Sequence, residues 1–409
     1  MFVTAGRFVL EPNRNGFPVG RFVYGRSYLA NPDAVPIDPI DLKLASTTYR
    51  TTAQKGVFGA LHDAGPDYWG RRVIKKHDGL PQFGEIDYLL NAPDDSAGAL
   101  GFGLGQKPPA PMKKFNKTLN LERQIALADA IVSGEDASDG PEAGQVEDFM
   151  LVGTSMGGAR PKAVVEDSDG LWLAKFNRGD DRWNHARVEH AMFRLANACG
   201  VHTAQSRIEQ IAGRDVLLVK RFDRQKTSDG YMRARMMSGL TILRTEDTHQ
   251  HRDRWSYVLL AEELRRVSGQ PKDDAAELFR RMVFNALISN TDDHPRNHAA
   301  IAIGADWKLS PAYDLTPSTP VSLERRDLAM TCGDIGRYAN AQNIVSQCAR
   351  FHVKSDEAAA IIDAMEDQVK ASWYNIARGE GVTEADCSMI NGAFAYPGFR
   401  LDPEKAALA

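Results

Sequence analysis

Residues 290–300, NTDDHPRNHAA, gather two acids, two histidines and two asparagines beside almost no apolar side chain. Two chemistries compete for such a cluster. His294 and His298 are candidate ligands of one metal ion, as in a metal hydrolase. Alternatively, Asp292 accepts a proton and Asn297 holds a divalent metal in phosphoryl transfer, the D-x-x-x-x-N spacing of a kinase catalytic loop. Pro295 lies between the histidines and interrupts the regular helix that a shared metal face needs.

The flanks favour the second chemistry. Upstream, DDAAELFRRMVFNALISN carries Leu278, Met282 and Ala286 at helical spacing, alongside Phe279, Val283 and Leu287, and leads straight into the cluster. Downstream, AAIAIGADWKL predicts strand, turn and strand, which returns the chain through SPAYDLTPSTP. That return brings Asp314 towards Asn297, and two converging oxygen ligands suit octahedral Mg²⁺.

Phosphoryl transfer also needs a phosphate-covering loop and a cation. VGTSMGGARPK (152–162) is glycine-rich, and Gly157 and Gly158 let backbone N–H groups approach phosphate oxygens. AVVEDSDGLWLAKF then predicts a hairpin in which Lys175 stands in an apolar strand, a costly place for an ammonium group without an anion. Residues 184–200 predict a helix with Val188, Met192, Leu195 and Cys199 on one side, ended by Gly200. Glu189 on that helix is a candidate partner for Lys175. TAQSRIEQI and RDVLLVKRF are two further strand runs. The loop is neither a Walker A sequence nor the usual G-x-G-x-x-G. No HRD precedes the cluster, and Leu315 and Thr316 replace the rest of DFG after Asp314.

The remainder is ordinary soluble sequence. GRFVLE, GRFVYG and IDPIDLKL are expected strands, NLERQIALADAIVSG an expected helix, and 134–144 an acidic Gly/Pro-rich connector. After about residue 223 the chain turns mostly helical, with QHRDRWSYVLLAEELRRVSG as one amphipathic segment. A helix is expected from Ser355, as N-cap, to about Arg378. A net charge of −4 gives no global basic field for direct nucleic-acid binding. The four cysteines are scattered without a CxxC pair, which fits reduced thiols in a cytoplasmic protein. The N-terminal MFVTAGRFVL has no basic leader and long apolar run, so no signal peptide is expected, and no apolar stretch is long enough to span a membrane.

FGALHDAGPDYWGRRVI, DDSAGALGF, SMGGARPK, LAKF, KRFDR, NTDDHPRNHAAI and LSPAYDLTP, spread from about residue 55 to 317, together resemble the HipA family of bacterial toxin serine/threonine kinases. The resemblance implies an α+β, protein-kinase-like two-lobed fold. It has an added β-rich N-terminal module (1–145), an ATP-binding core (146–235) and a helical lobe with the catalytic and metal-binding loops (236–409). It implies ATP and Mg²⁺, with Asp292 as catalytic base and Asn297 and Asp314 as metal ligands. ATP contacts fall by motif on Ser155, Met156, Gly157, Gly158, Ala159, Lys162, Lys175, His294, Asn297, Tyr313 and Asp314. Ser155 occupies the loop serine that such kinases phosphorylate on themselves as an off-switch. The implied partners are a HipB-like helix-turn-helix antitoxin, DNA only through that antitoxin, and a protein substrate that is an aminoacyl-tRNA synthetase. Kinase-like folds also serve small-molecule or lipid substrates, and an inactive co-repressor acting with the antitoxin is a further alternative.

Overall fold

The computed structural model describes residues 2–78, 84–91, 96–107, 116–117, 125, 160–319 and 322–402. The glycine-loop residues Ser155, Met156, Gly157, Gly158 and Ala159 lie outside these, as do the acidic connector and all of the 120–134 helix except Ile125. Two compact units emerge. The first comprises residues 1–178, 223–237 and 301–306, the second residues 179–222, 238–300 and 307–409.

In the first unit, β1 (Gly6–Pro12) and β2 (Pro18–Tyr24) form an antiparallel hairpin that β3 (Thr48–Thr51) extends. Its turn is built by Asn13, whose Oδ1 accepts the N–H groups of Asn15 and Phe17, both at 2.9 Å. α1 (Arg26–Leu29), α2 (Gly59–Asp63), α3 (Tyr68–Asp78) and α4 (Glu85–Leu90) complete the N-terminal part. Its core is Phe22, Tyr24, Ile37, Leu42, Val57, Phe58 and Leu61. IDPIDLKL is not a strand. Asp38 is fully buried and its Oδ1 accepts N–H groups from Ile40, Asp41 and Leu42, so the side chain takes the donors a sheet ladder would have used.

The two-residue β4 (Asn116–Lys117) runs parallel to β5 (Lys162–Asp167), which forms the expected hairpin with β6 (Gly170–Phe176). Asp167 sets the turn: its Oδ1 accepts from the N–H groups of Asp169 (2.8 Å) and Gly170 (3.1 Å) and from Trp172 Nε1 (2.9 Å). The cross-strand register pairs Lys162 directly with Lys175.

The second unit opens with α5 (His185–Ala198), capped by Asn184 Oδ1 accepting from Arg187 N at 3.1 Å. The two expected strands, β7 (Ser206–Ile211) and β8 (Arg214–Lys220), pair antiparallel. The hairpin of β9 (Arg224–Thr227) and β10 (Gly230–Arg233) belongs to the first unit. β11 (Arg235–Ser238), most of which, like most of β12 below, belongs to the first unit, leads into α6 (Gly239–Leu243), α7 (Tyr257–Val267) and α8 (Pro271–Leu287). Pro271 at the first position and Asp273 and Asp274 in the first turn start α8. β12 (Ala299–Ile303), β13 (Asp306–Leu309), α9 (Ala341–Ser346), α10 (Ser355–Gly379) and α11 (Glu384–Ile390) follow. Ser355 is not the N-cap of α10. Lys354 holds that place without a side-chain hydrogen bond, and Ser355 is already helical. The described elements make an α+β fold with a helical C-terminal part. No helix among the described residues is long and apolar enough to cross a membrane.

Candidate active site

α8 delivers the chain to the cluster, and a buried acid fixes what comes next. Asp293 Oδ2 accepts three hydrogen bonds: from Asn285 Nδ2 on α8 at 2.7 Å, from His298 Nε2 at 2.8 Å and from the hydroxyl of Tyr257 on α7. Burial, then the Asp293 carboxylate, push the Tyr257 phenol well above its usual value, so it stays a donor. The Asn285 amide is held in turn by Asn290 Nδ2 at 3.1 Å. Ser289 takes a left-handed conformation (φ 53°) that bends the chain out of the helix, and its Oγ accepts from Arg326 Nη1 at 2.6 Å. Motif spacing alone passes over Asp293. Its signal is an acid next to an acid: in so compact a loop only one of the two can face outward.

The neighbour that does face outward is Asp292. Its backbone carbonyl anchors the turn, accepting from His294 N at 2.8 Å and from Asn297 Nδ2 at 3.4 Å. Its side chain reaches solvent, yet its carboxyl is raised from the ordinary value. Packed protein removing water is the largest cause. His294 opposes it, and the negative charges of Asp314, Asp293 and Asp247 add to it. Asp292 and Asp314, distant in sequence, therefore sit within electrostatic reach of one another. Asn297, whose Nδ2 reaches the Asp292 carbonyl, is buried at the end of a short 3-10 turn, Pro295–Asn297.

Asp314 is placed by a chain of backbone contacts. Ser310 N donates to Ala299 O at 2.8 Å, closing the excursion that begins after Asn297. Arg281 Nη2 and Asp274 Oδ2, both on α8, hold Ser310 O (2.6 Å) and Leu309 N (2.8 Å). Ala312 bridges to residues 202–204 through Ala312 N to His202 O (2.8 Å) and Ala204 N to Ala312 O (2.9 Å). Tyr313 donates its hydroxyl to Arg296 O at 2.8 Å, and Asn290 Nδ2 donates to Asp314 O at 3.3 Å. Asp314 itself has φ 60°, a left-handed backbone that a non-glycine residue keeps only when its surroundings enforce it. α6 is tied to the same loop. Gly239 N donates to His298 O at 2.7 Å, and a Cβ on Gly239 would lie 2.4 Å from Pro295 O.

The paired-histidine metal reading finds no support. His298 is committed to Asp293, and Pro295 starts a 3-10 turn rather than a helix. Among the described residues no group of three or more His, Cys, Asp or Glu is arranged to hold a metal. His294 packs edge-on against Trp255, with ring centroids 6.2 Å apart, and its buried Nδ1 has no hydrogen-bond partner among the described residues. An oxygen-rich ligand arriving here would satisfy it. Asn297 Oδ1 and the Asp314 carboxylate are the donor types Mg²⁺ takes when substrate phosphates and water complete its shell.

Lys175 and Glu189 lie on the strand and the helix predicted for them, whereas Lys162, expected at the end of the glycine loop, begins β5. Lys175 is half-buried near the end of β6, and Glu189 is buried on α5. Lys162 is buried at the start of β5, where its ammonium group donates to Asp67 Oδ2 at 2.8 Å.

Residues 4–103 match the family model for the HipA N-terminal domain, and residues 154–373 match that for the HipA-like C-terminal domain. A curated relative, "Putative kinase Y4mE" of Sinorhizobium fredii (strain NBRC 101917 / NGR234), is 29% identical over 136 residues, covering 31% of this chain and 31% of that protein. Among solved structures, a chain of the Shewanella oneidensis MR-1 toxin–antitoxin complex of HipA, HipB and operator DNA superposes with a TM-score of 0.70 at 16% identity. The match covers 95% of this chain and 92% of that one.

Proposed function

Because this chain belongs to the HipA-like family, we propose that it is an ATP-dependent serine/threonine protein kinase acting as the toxin of a toxin–antitoxin pair. The proposal is supported by two hydrogen bonds, Asn297 Nδ2 to the Asp292 carbonyl at 3.4 Å and Asn290 Nδ2 to the Asp314 carbonyl at 3.3 Å, which tie the Asn297 amide and the Asp314 segment to the loop that carries Asp292. Mg²⁺ bound with ATP would neutralise charge developing on the transferred phosphoryl group. Asn297 and Asp314 would hold that ion through oxygen. Asp292 is the acceptor for the proton of an incoming serine or threonine hydroxyl, and its outward side chain is where a protein substrate can reach it. By its motif Lys175 would supply the cation for phosphate, and Tyr313 fixes the approach of the Asp314 segment through Arg296. His294, with its unsatisfied Nδ1, contributes a phosphate contact.

The substrate we propose is an aminoacyl-tRNA synthetase, whose phosphorylation arrests translation in the cytoplasm, with autophosphorylation of Ser155 as the off-switch. The Shewanella chain stands in a complex with HipB and operator DNA, which supports a small DNA-binding antitoxin as partner and contact with DNA through it. The test is phosphoproteomics of cells expressing the protein against an Asp292→Asn control. Labelled serine or threonine sites on a synthetase that vanish in the control are expected. Equal labelling in both would defeat the proposal.

A further inference from the structure

The hairpin register creates an electrostatic problem. Lys162 and Lys175 are cross-strand partners, so their side chains leave the same face of the β5–β6 hairpin. Residues directly opposite in an antiparallel pair stand about 5 Å apart at Cβ, and like charges there repel. Lys162 is 1% exposed, so water does not screen it. A second ammonium group beside the one proposed to grip nucleotide would either drive Lys175 away or draw the phosphates out of line.

The N-terminal part answers this with Asp67. Its carboxylate takes the Lys162 ammonium at 2.8 Å, with the two side chains 3% and 2% exposed. Asp67 is itself rigidly held. It opens α3, its Oδ1 accepting from Gly70 N at 2.7 Å and its carbonyl from Arg71 N at 2.9 Å. Arg71 is locked in turn by a bidentate pair with Glu85, at 3.0 and 2.6 Å. A stability role alone does not call for charge here, because an apolar pair of similar size would pack the site at no desolvation cost.

We infer that Asp67 is a positioning residue: by neutralising Lys162 it leaves Lys175 as the ammonium group that meets nucleotide phosphate. This rests on the kinase proposal, and on its assignment of Lys175. It reassigns Lys162 from a phosphate contact to a charge that must be kept away from phosphate. It also gives the N-terminal part a direct influence on nucleotide affinity.

The test is a charge cycle on the full chain, with Mg²⁺ and a fluorescent ATP analogue as probe. Binding is measured at a temperature where circular dichroism shows every variant folded. Asp67→Asn leaves Lys162 charged without its carboxylate and is expected to raise the dissociation constant about tenfold, the equivalent of one like-charge contact. Lys162→Met alone leaves the buried Asp67 carboxylate without its ammonium partner on the strand that pairs with Lys175 and is expected to weaken binding to a similar degree. The neutral pair Asp67→Asn/Lys162→Met is expected to return to within about twofold of wild type. A double variant that stays as weak as Lys162→Met overturns the inference, because Lys162 then contacts phosphate itself. Unchanged affinity in Asp67→Asn overturns it too. Should Asp67→Asn not fold, the double variant still decides. A wild-type protein that binds no analogue defeats the kinase proposal instead, and so tells the two failures apart.

Discussion

Asp292 and Asp293 are adjacent acids with opposite fates, and substitution separates them. Asp293 receives three donors inside the protein. Asp293→Ala strands Tyr257, Asn285 and His298 together and should cost about 3 kcal/mol or more, seen as a collapse of the unfolding midpoint in urea. Asp292→Asn should do the reverse. A carboxyl raised in the native state means that the folded chain binds more protons than the unfolded one, starting from about pH 3.9 upward. Stability therefore falls as pH rises through that window, and the deficit persists at neutral pH. The asparagine variant lacks it. It should melt higher than wild type at pH 7, by on the order of 1 °C because the side chain is exposed and screened. The gain should fade below about pH 3, where both states are protonated. A lower melting temperature for Asp292→Asn at pH 7 would show that the carboxylate serves stability rather than chemistry.

Elements were legible wherever periodicity or turn chemistry was local. The β5–β6 hairpin, α5, and β7 and β8 follow directly from their residues. IDPIDLKL failed because its apolar alternation hides an aspartate that competes for the backbone. The start of α10 failed because serine is a good cap in general, while here the chain turns helical one residue earlier. That gap is correctable. Lys354 has the extended backbone of an N-cap (φ −76°, ψ 157°), is exposed and makes no side-chain cap. Lys354→Asp should supply the missing acceptor and suit the helix dipole, adding about 0.5 to 1 kcal/mol to the unfolding free energy by urea titration. An unchanged midpoint would mean that α10 frays without weakening the fold.

For the whole molecule, the sequence showed which chemistry to look for but not how it is held. The matched HipA chain shares 16% of its residues yet gives a TM-score of 0.70, so the fold survives wide substitution. What motif spacing could not reveal are the long-range holders: Arg281 and Asp274 on the Ser310 segment, and Asp67 on Lys162. These are single side chains, and their partners lie up to 95 residues away. Ligand response is a property of the entire protein. Mg²⁺ with ATP should raise the melting temperature of wild type, by about 2.7 kcal/mol of added stability when ligand is at a hundredfold its dissociation constant. Asp314→Ala should lose most of that shift, measured against its own ligand-free melting point. Equal shifts in both proteins would remove Asp314 from the binding site.

The approach of Gly239 to Pro295 has a mechanical outcome. With no room for a methyl group and a direct N–H to His298 O, the start of α6 and the 292–298 loop are meshed like two teeth of one gear. Neither can turn by itself. A regulator that shifts residue 239 would throw Asp292 out of line without ever touching it, and even Gly239→Ala should uncouple phosphate transfer from an otherwise intact protein.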